Sequence, residues 1–332
     1  MTIHINLSDK CNISCGYCFS KRRGNNVLDI DSAIPFIDGV ISHCTNYVVL
    51  DFTGASEPLM AVDSIYTLSK RYGGKVGYVM TTNGLLLTKG LIDRLAEHRV
   101  RINISMDGKE GVVDSTYGAG AYKHITEMLE YYLSIEGGPL CSMVITDKND
   151  DFYQHFTHLC DLGFEGVHIG LDRRPGKMWR RDNILKSFDL LAKGGVKYIR
   201  KFVLGGGFGA AVFKALILGQ EVLPCAPAAG GVSIAEDGEL YCCMSGVYME
   251  DMNIGSLSGG VNSQGLENNL TPTTLPPKCL ECGNLKLCGG ICKVYTDSNY
   301  RDELCKLRYE VIERMKGLYR LYGDLGIKEK LL

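Results

Sequence analysis

The stretch "INLSDKCNISCGYCFSKR", residues 5–22, decides how this sequence is interpreted. Three cysteines, Cys11, Cys15 and Cys18, follow a short apolar run that predicts a strand. A structural zinc site needs four protein ligands, and no fourth cysteine is close in sequence. A [4Fe–4S] cluster usually takes one thiolate per iron, so three local thiolates leave one iron open to an external ligand. The pattern favours an iron–sulfur cluster, with a zinc site that borrows a remote fourth ligand as the alternative.

The composition is that of an ordinary globular protein except for the cysteines. The 332 residues are 45% hydrophobic, and the net charge of −2 gives no general drive toward nucleic acid or anionic membrane. The amino end, "MTIHINLSDK", is too polar for a signal peptide, and no apolar stretch approaches the ~20 residues of a membrane span. We therefore expect a cytoplasmic protein. Fourteen cysteines in a reducing compartment indicate metal binding or catalysis rather than disulfides.

From the first strand to about residue 203, strand-like and helix-like segments alternate in six units. Such alternation is typical of parallel α/β folds, and six units rather than eight predict a partial (β/α)6 TIM-like barrel. The carboxyl ends of its strands should carry the chemistry. There the sequence places turn-forming segments: "TGASEP" (53–58), "TTNG" (81–84) and "SMDG" (105–108). The isolated cysteines are expected to be small buried side chains: Cys44, Cys141 and Cys160.

These features resemble the radical S-adenosylmethionine (SAM) enzymes. Their signature, CxxxCxxC with an aromatic residue before the last cysteine, is here "CNISCGYC", with Tyr17 before Cys18. The resemblance covers residues 3 to about 200. It implies a [4Fe–4S] cluster on the three cysteines, whose open iron is chelated by the amino and carboxylate groups of SAM. It also implies that a 5′-deoxyadenosyl radical abstracts hydrogen from the substrate.

The resemblance further implies a set of SAM-binding residues. The family's "GGEP" stretch, which holds the SAM amino group, corresponds to "TGASEP", where Ala55 and Ser56 stand in place of the second glycine. Glu57 would accept a hydrogen bond from the SAM ammonium, and residues of "TNG" and "SMDG" would contact the ribose or the carboxylate. The predicted SAM-binding residues are Tyr17, Gly54, Glu57, Asn83, Ser105 and Asp107.

The carboxyl-terminal cysteines form a second pattern, CxxCxxxxxCxxxC followed by one further cysteine. Together with Cys225, Gly238 and Cys243 it resembles the SPASM domain of peptide-modifying radical SAM enzymes, which holds two auxiliary iron–sulfur clusters. The resemblance assigns auxiliary cluster I to Cys225, Cys243 and Cys292. It assigns auxiliary cluster II to Cys279, Cys282, Cys288 and Cys305. A pair of zinc sites is the alternative, because CxxC also opens zinc ribbons.

The predicted domains are a radical SAM partial barrel at 1–203, a connector at 204–224 and a SPASM-like domain with a C-terminal helix at 225–332. The run "GGGFGA" in the connector is not interpreted as a nucleotide loop, because no strand clearly precedes it. In "EDGELYCC" (236–243), a hairpin turn should deliver Cys243 to auxiliary cluster I. Neighbouring side chains on a strand point to opposite faces, so Cys242 should face away from that cluster. Cys242 would then be buried, or would act catalytically as a hydrogen or thiol donor.

The sequence thus predicts a radical SAM/SPASM peptide maturase with three [4Fe–4S] clusters and SAM. It would abstract hydrogen from a residue of a ribosomally made peptide or protein and form a thioether or carbon–carbon crosslink. Epimerisation, a sulfatase-maturase-like oxidation and action on a small molecule are alternatives. A non-catalytic zinc-binding scaffold is the alternative of another class.

The expected partners are the substrate and an electron donor such as flavodoxin or ferredoxin, with no nucleic acid and no membrane. Cys11 lies close to the amino end of the sequence. We therefore expect any leader peptide to be bound by the barrel, by the SPASM-like region or by a separate protein.

Overall fold

The computed structural model describes residues 1–20, 24–54, 56–174, 179–222, 231–270, 277–292, 294 and 298–322. Cys225, a predicted cluster ligand, lies outside them. The chain divides into two compact units, which are described separately. Unit 1 comprises Met1–Asn103 and Cys225–Thr274, and unit 2 comprises Ile104–Pro224 and Leu275–Leu332.

Strands and helices alternate through the first two hundred residues as predicted. The strands are β1 (Thr2–Ile5), β2 (Val49–Asp51), β3 (Gly77–Thr82), β4 (Val100–Ser105), β5 (Leu140–Ile145), β6 (Gly166–Leu171), β7 (Gly231–Ile234), β8 (Glu239–Tyr241), β9 (Asn253–Ser256) and β10 (Gly260–Val261). The helices are α1 (Ile30–His43), α2 (Val62–Tyr72), α3 (Lys89–Glu97), α4 (Glu110–Tyr117), α5 (Ala121–Ile135), α6 (Phe152–Asp161), α7 (Arg181–Lys193), α8 (Val196–Gly205), α9 (Phe208–Leu218), α10 (Ser263–Leu270), α11 (Pro277–Leu280), α12 (Leu285–Cys288) and α13 (Ser298–Tyr322).

In unit 1 the strand order is β10–β9–β8–β7–β1–β2–β3, an open order in which β7, β1, β2 and β3 run parallel. Strands β8, β9 and β10 continue the sheet in antiparallel fashion. Strand β1 alternates in burial: Ile3 and Ile5 are completely buried, whereas His4 between them is partly exposed. One face of β1 therefore belongs to the core, and the other carries polar side chains.

In unit 2, the last two residues of β4, Ile104 and Ser105, pair with β5, and β5 pairs with β6, both in parallel. The long helix α13 packs on α7 and α9 through an apolar stripe with helical spacing. The buried stripe comprises Leu304, Leu307, Val311, Met315 and Leu318. Phe188 adds edge-to-face contacts with Phe152 and Phe202, at ring-centroid distances of 5.0 and 6.1 Å. Burial of this stripe attaches α13 to unit 2.

The predicted connector at 204–224 contains α9, an apolar helix with Val212 and Phe213 fully buried. The glycines before it permit close packing on β6. A Cβ at Gly205 would lie 2.1 Å from the carbonyl carbon of Val167, and one at Gly207 would lie 2.6 Å from the carbonyl oxygen of Ile169. The glycine run is therefore a backbone contact, which explains it without a nucleotide.

The isolated cysteines behave as predicted at two positions out of three. Cys141 and Cys160 are 1% and 2% exposed. Cys44 is only half-buried, because it is the residue that caps the carboxyl end of α1. No helix in the described part of the chain combines the length and the apolar character that crossing a membrane requires.

Candidate iron–sulfur and SAM site

The cysteine loop, residues 11–18, is held at its base by a buried carboxylate. Asp9 is 4% exposed and accepts hydrogen bonds from the N–H and the Nδ2 of Asn26, at 2.9 and 2.8 Å. A Cβ at Gly24 would lie 2.5 Å from Asp9 Oδ2, so a larger residue there would displace this carboxylate. The two ends of the loop are thereby fixed next to each other.

Within the loop, the Cys18 N–H donates to the Cys15 carbonyl oxygen at 3.0 Å, a turn that brings these two residues together. All three cysteines are half-buried. Among the residues that the structure describes, no three or more His, Cys, Asp or Glu side chains converge closely enough, as they stand, to hold a metal ion. The donor set nevertheless suits a [4Fe–4S] cluster, since one short loop supplies three thiolates.

Glu57 ties the cysteine loop to the segments that follow β2 and β3. Its N–H donates to the Lys10 carbonyl oxygen at 2.9 Å. Its carboxylate accepts hydrogen bonds from the Thr82 hydroxyl (2.7 Å), the Asn83 N–H (2.8 Å) and the Leu59 N–H (3.2 Å). Glu57 is 1% exposed, and burial raises the pKa of its carboxyl although these three hydrogen bonds act in the opposite direction. It orients the loops, and its predicted contact with the SAM ammonium stays a prediction.

Asn83 joins the loop after β3 directly to the cysteine loop. Its Nδ2 donates to Asn12 Oδ1 at 2.7 Å, and its Oδ1 accepts from the Leu85 N–H at 3.0 Å. Sequence reasoning missed Asn12. Its position inside the signature, between Cys11 and Cys15, was the available signal, because amide side chains cross-link loops.

The other predicted SAM-binding residues differ in burial. In unit 1, Tyr17 and Gly54 are half-buried, and a Cβ at Gly54 would lie 2.4 Å from Asn6 Oδ1. In unit 2, Ser105 is half-buried, whereas Asp107 is 1% exposed and its Oδ1 accepts from the Val144 N–H at 2.9 Å. Asp107 thus connects the end of β4 to β5. The SAM contacts assigned to these residues remain predictions.

The four cysteines predicted for auxiliary cluster II are neighbours within unit 2. Burial raises the pKa of the Cys279 thiol, and electrostatic interaction with Cys305, Cys288 and Cys282 raises it further. The Cys282 N–H also donates to the Cys279 carbonyl oxygen at 3.2 Å. The four thiols match the number and type of donors of a [4Fe–4S] cluster, and equally those of a structural zinc ion, but they do not converge on one point as they stand.

Arg308 of α13 lies beside this group of thiols. Its Nη1 is 4.0 Å from Cys288 Sγ and also donates to the Gly290 carbonyl oxygen. Its guanidinium carbon lies 4.5 Å from the centre of the Phe208 ring, a cation–π contact.

The β7–β8 hairpin is formed as predicted. Gly238 has a φ of +83°, and Ser233 and Ile234 of β7 pair with Tyr241 and Leu240 of β8. Of the two cysteines that follow, Cys242 is 2% exposed and Cys243 is half-buried. Cys292, the third predicted ligand of auxiliary cluster I, is half-buried in unit 2.

No protein-family model matches the chain. Among curated proteins it is similar to the radical SAM cyclopropyl synthase TigE of Paramaledivibacter caminithermalis, with 23% identity over 96% of this chain and 75% of that protein. Among solved structures it is similar to native anSMEcpe with bound AdoMet and Cp18Cys peptide, with a TM-score of 0.76, 16% identity and coverage of 98% and 99% of the two chains. It is also similar to Streptococcus suis SuiB bound to precursor peptide SuiA, with a TM-score of 0.66, 14% identity and coverage of 90% and 74%.

The structural likenesses confirm the predicted fold class, and the relative TigE matches nearly the whole chain. The resemblance drawn from the cysteine spacing is confirmed with them. The chain is thus similar over nearly its whole length to a radical SAM enzyme, and its fold is that of these two solved structures.

Proposed function

We propose that this enzyme modifies a ribosomally made peptide or protein. The likeness to two solved structures with a bound peptide, one of which matches almost the full length of this chain, carries the proposal. The two groups of cysteines support it, because each offers the thiol donors that an iron–sulfur cluster needs.

The proposal includes three [4Fe–4S] clusters and SAM. The cysteine loop would hold the SAM cluster. The four neighbouring thiols of unit 2 would hold auxiliary cluster II, and Cys225, Cys243 and Cys292 would hold auxiliary cluster I. When bound, these groups supply reductive cleavage of SAM and hydrogen abstraction by the 5′-deoxyadenosyl radical. The chain itself supplies the positioning, since Glu57 and Asn83 fix the loops around the cysteines.

The proposed outcome is a crosslink. The name of the relative TigE, a cyclopropyl synthase, favours carbon–carbon bond formation over a thioether, because closing a cyclopropyl ring makes such a bond. Epimerisation and oxidation are the competing outcomes. The proposed partners are the peptide, with or without a leader, and an electron donor such as flavodoxin or ferredoxin. The proposed location is the cytoplasm.

The test is anaerobic reconstitution of the wild type and of a variant with Cys11, Cys15 and Cys18 changed to alanine. We expect about twelve irons per chain in the wild type and about four fewer in the variant, which should no longer produce 5′-deoxyadenosine. Cys44→Ala is the matched control, because Cys44 belongs to neither cysteine pattern. A triple variant that still cleaves SAM would contradict the assignment.

The reaction is identified by mass spectrometry of a short peptide encoded next to the enzyme and co-expressed with it. A crosslink removes two hydrogens from the peptide, whereas epimerisation leaves the mass unchanged. An unmodified peptide with active SAM cleavage would point to another substrate. Zinc in place of iron would support the scaffold alternative.

A further inference from the structure

A hydrogen-bonded cluster at the edge of unit 1 has no role in the site described above. We call it the Glu236 cluster; it comprises Asn6, Ser56, Glu236 and Tyr248. Asn6 directly follows β1, and Glu236 lies two residues after β7, which runs parallel to β1. Parallel strands end at the same edge of a sheet. The cluster therefore lies at the edge from which the chain continues into the cysteine loop.

Only one of the two oxygens of the Glu236 carboxylate is used. Its Oε2 accepts hydrogen bonds from Tyr248 Oη at 2.7 Å and from Asn6 Nδ2 at 2.8 Å. Asn6 Nδ2 also lies 3.0 Å from Tyr248 Oη, and Ser56 Oγ donates to Asn6 Oδ1 at 3.0 Å. Asn6 and Tyr248 thus hold the carboxylate in one orientation.

The other oxygen, Oε1, is buried and has no hydrogen-bond partner among the described residues. The side chain of Glu236 is 5% exposed. A buried acceptor without a donor costs about 1–3 kcal/mol, and a buried charge is normally compensated. Both donors to Oε2 are neutral groups, an amide and a phenol, and so bring no compensating charge. The cluster therefore lacks one donor, and a cationic donor would satisfy it best.

Tyr248 gives an independent sign of a ligand site. Its φ is +72°, a region that a bulky residue rarely adopts. Such strain persists where the surroundings impose it, and it is concentrated at sites of binding and catalysis. Tyr248 and Ser56 are each half-buried, so the cluster extends from the buried carboxylate toward the surface.

Glu57 provides the contrast in the same unit. It is equally buried, but three donors within the protein already occupy its carboxylate. A carboxylate has about four acceptor positions, so Glu57 has little capacity left for a ligand. Glu236 has a whole oxygen available.

We propose that Glu236 Oε1 accepts a hydrogen bond from a primary ammonium group of a bound ligand. An ammonium group offers three N–H donors and one positive charge, which are what this carboxylate lacks. The inference rests on the proposed function, which supplies two sources of such a group: the amino acid part of SAM, and an amine of the peptide substrate.

The first measurement is calorimetric titration of the reconstituted protein with SAM. In Glu236→Gln the amide oxygen meets Asn6 and Tyr248, which leaves an NH2 group at the vacant position. If SAM is the source, its dissociation constant should rise at least about tenfold, the scale of one charge-assisted hydrogen bond. An analogue of SAM without the amino group should bind both proteins equally. The matched control is Glu239→Gln, because Glu239 lies in the same hairpin and accepts from Asn253 Nδ2 at 2.8 Å.

The second measurement tests the site without SAM. n-Butylammonium chloride should raise the melting temperature of the wild type more than tetramethylammonium chloride, a cation that cannot donate a hydrogen bond. Glu236→Gln should lose this difference. If Glu236→Gln loses this difference but binds SAM as tightly as the wild type, the site is assigned to an amine of the peptide. If Glu236→Gln does not retain iron, both measurements are repeated with Tyr248→Phe. This variant removes only the hydroxyl that donates to Glu236 Oε2.

Equal responses of the wild type and the Glu236 variant in both measurements overturn the proposal. A wild type that does not bind SAM contradicts the proposed function instead, and the butylammonium measurement still tests Glu236.

Discussion

Glu57 and Asp150 are both buried carboxylates, yet their surroundings shift their pKa values in opposite directions. Burial dominates at Glu57 and raises the pKa, because its hydrogen-bond donors are neutral. Burial also acts to raise the pKa of Asp150, but hydrogen bonds from Arg180 and Asn183 outweigh it and lower the pKa overall. Arg180 supplies its N–H, Nε and Nη2 to Asp150, at 2.7, 2.9 and 2.8 Å. The nearby cation makes the difference.

We expect Glu57 to make the free energy of unfolding fall as the pH rises. Because its pKa is raised in the folded state, its stabilising contribution is complete below the unfolded value of 4.5 and is lost as pH passes through the folded value. Glu57→Gln, which is neutral at every pH, should remove this decline. Urea unfolding between about pH 4 and pH 8 measures it.

Asp150→Asn is the control for this measurement, because Asp150 should change the free energy of unfolding with pH in the opposite direction. The pKa of Asp150 is lowered, so its stabilisation is present above the unfolded value and is lost as the pH falls. A wild type and a Glu57→Gln variant with the same pH profile would show that burial does not control the Glu57 carboxyl.

Among the secondary-structure elements, the β7–β8 hairpin gives two adjacent cysteines different environments. The Cys242 N–H donates to the Met252 carbonyl oxygen at 3.1 Å, and Cys242 Sγ lies 3.9 Å from Met252 Sδ, which places this thiol in the apolar interior. Cys243 is half-buried. This difference agrees with the alternation of side chains along an extended chain.

We expect Cys243→Ala to lose the iron of auxiliary cluster I and Cys242→Ala to keep all of its iron. Cys242→Ala should lower the free energy of unfolding by about 1 kcal/mol, because it leaves a small cavity. Iron analysis and urea unfolding measure the two effects. Equal iron loss in both variants would contradict the prediction that Cys242 and Cys243 point to opposite faces of the strand. Full iron with no modified peptide in Cys242→Ala would instead support a donor role for Cys242, and hence epimerisation.

Over the whole molecule, each compact unit draws on both halves of the sequence. Strands β7–β10 belong to unit 1 with β1–β3, whereas α13 and the cysteines proposed for auxiliary cluster II belong to unit 2. In unit 2, residues 277–292 carry two helices of four residues each, whereas α13 buries a long apolar stripe. The folding of residues 277–292 should therefore depend on bound metal more than the folding of α13 does.

We expect chelation of the metal to release residues 277–292 while α13 stays folded. The short helices bury little apolar surface and would depend on the cluster, whereas Val311, Met315 and Leu318 remain packed. Hydrogen exchange of the loaded and chelated protein measures this, with β5 and β6 as the internal control. Simultaneous loss of protection in α13 would show that the cluster, and not the apolar stripe, holds this helix.

By itself, the sequence determined the alternation of strands and helices, the grouping of the cysteines and the turn at Gly238. All three depend on the spacing of residues close together in the chain, and spacing is visible in a sequence. The prediction that Cys44 is buried was wrong, because its burial depends on where α1 ends, and helix ends are poorly marked by periodicity.

Only the tertiary structure decided which groups the buried carboxylates contact. Thr82 is 25 positions from Glu57, and Asn6 is 230 positions from Glu236. Hydrogen-bond partners so far apart become neighbours only when parallel strands pair, and the register of that pairing is set by the packing of the whole sheet.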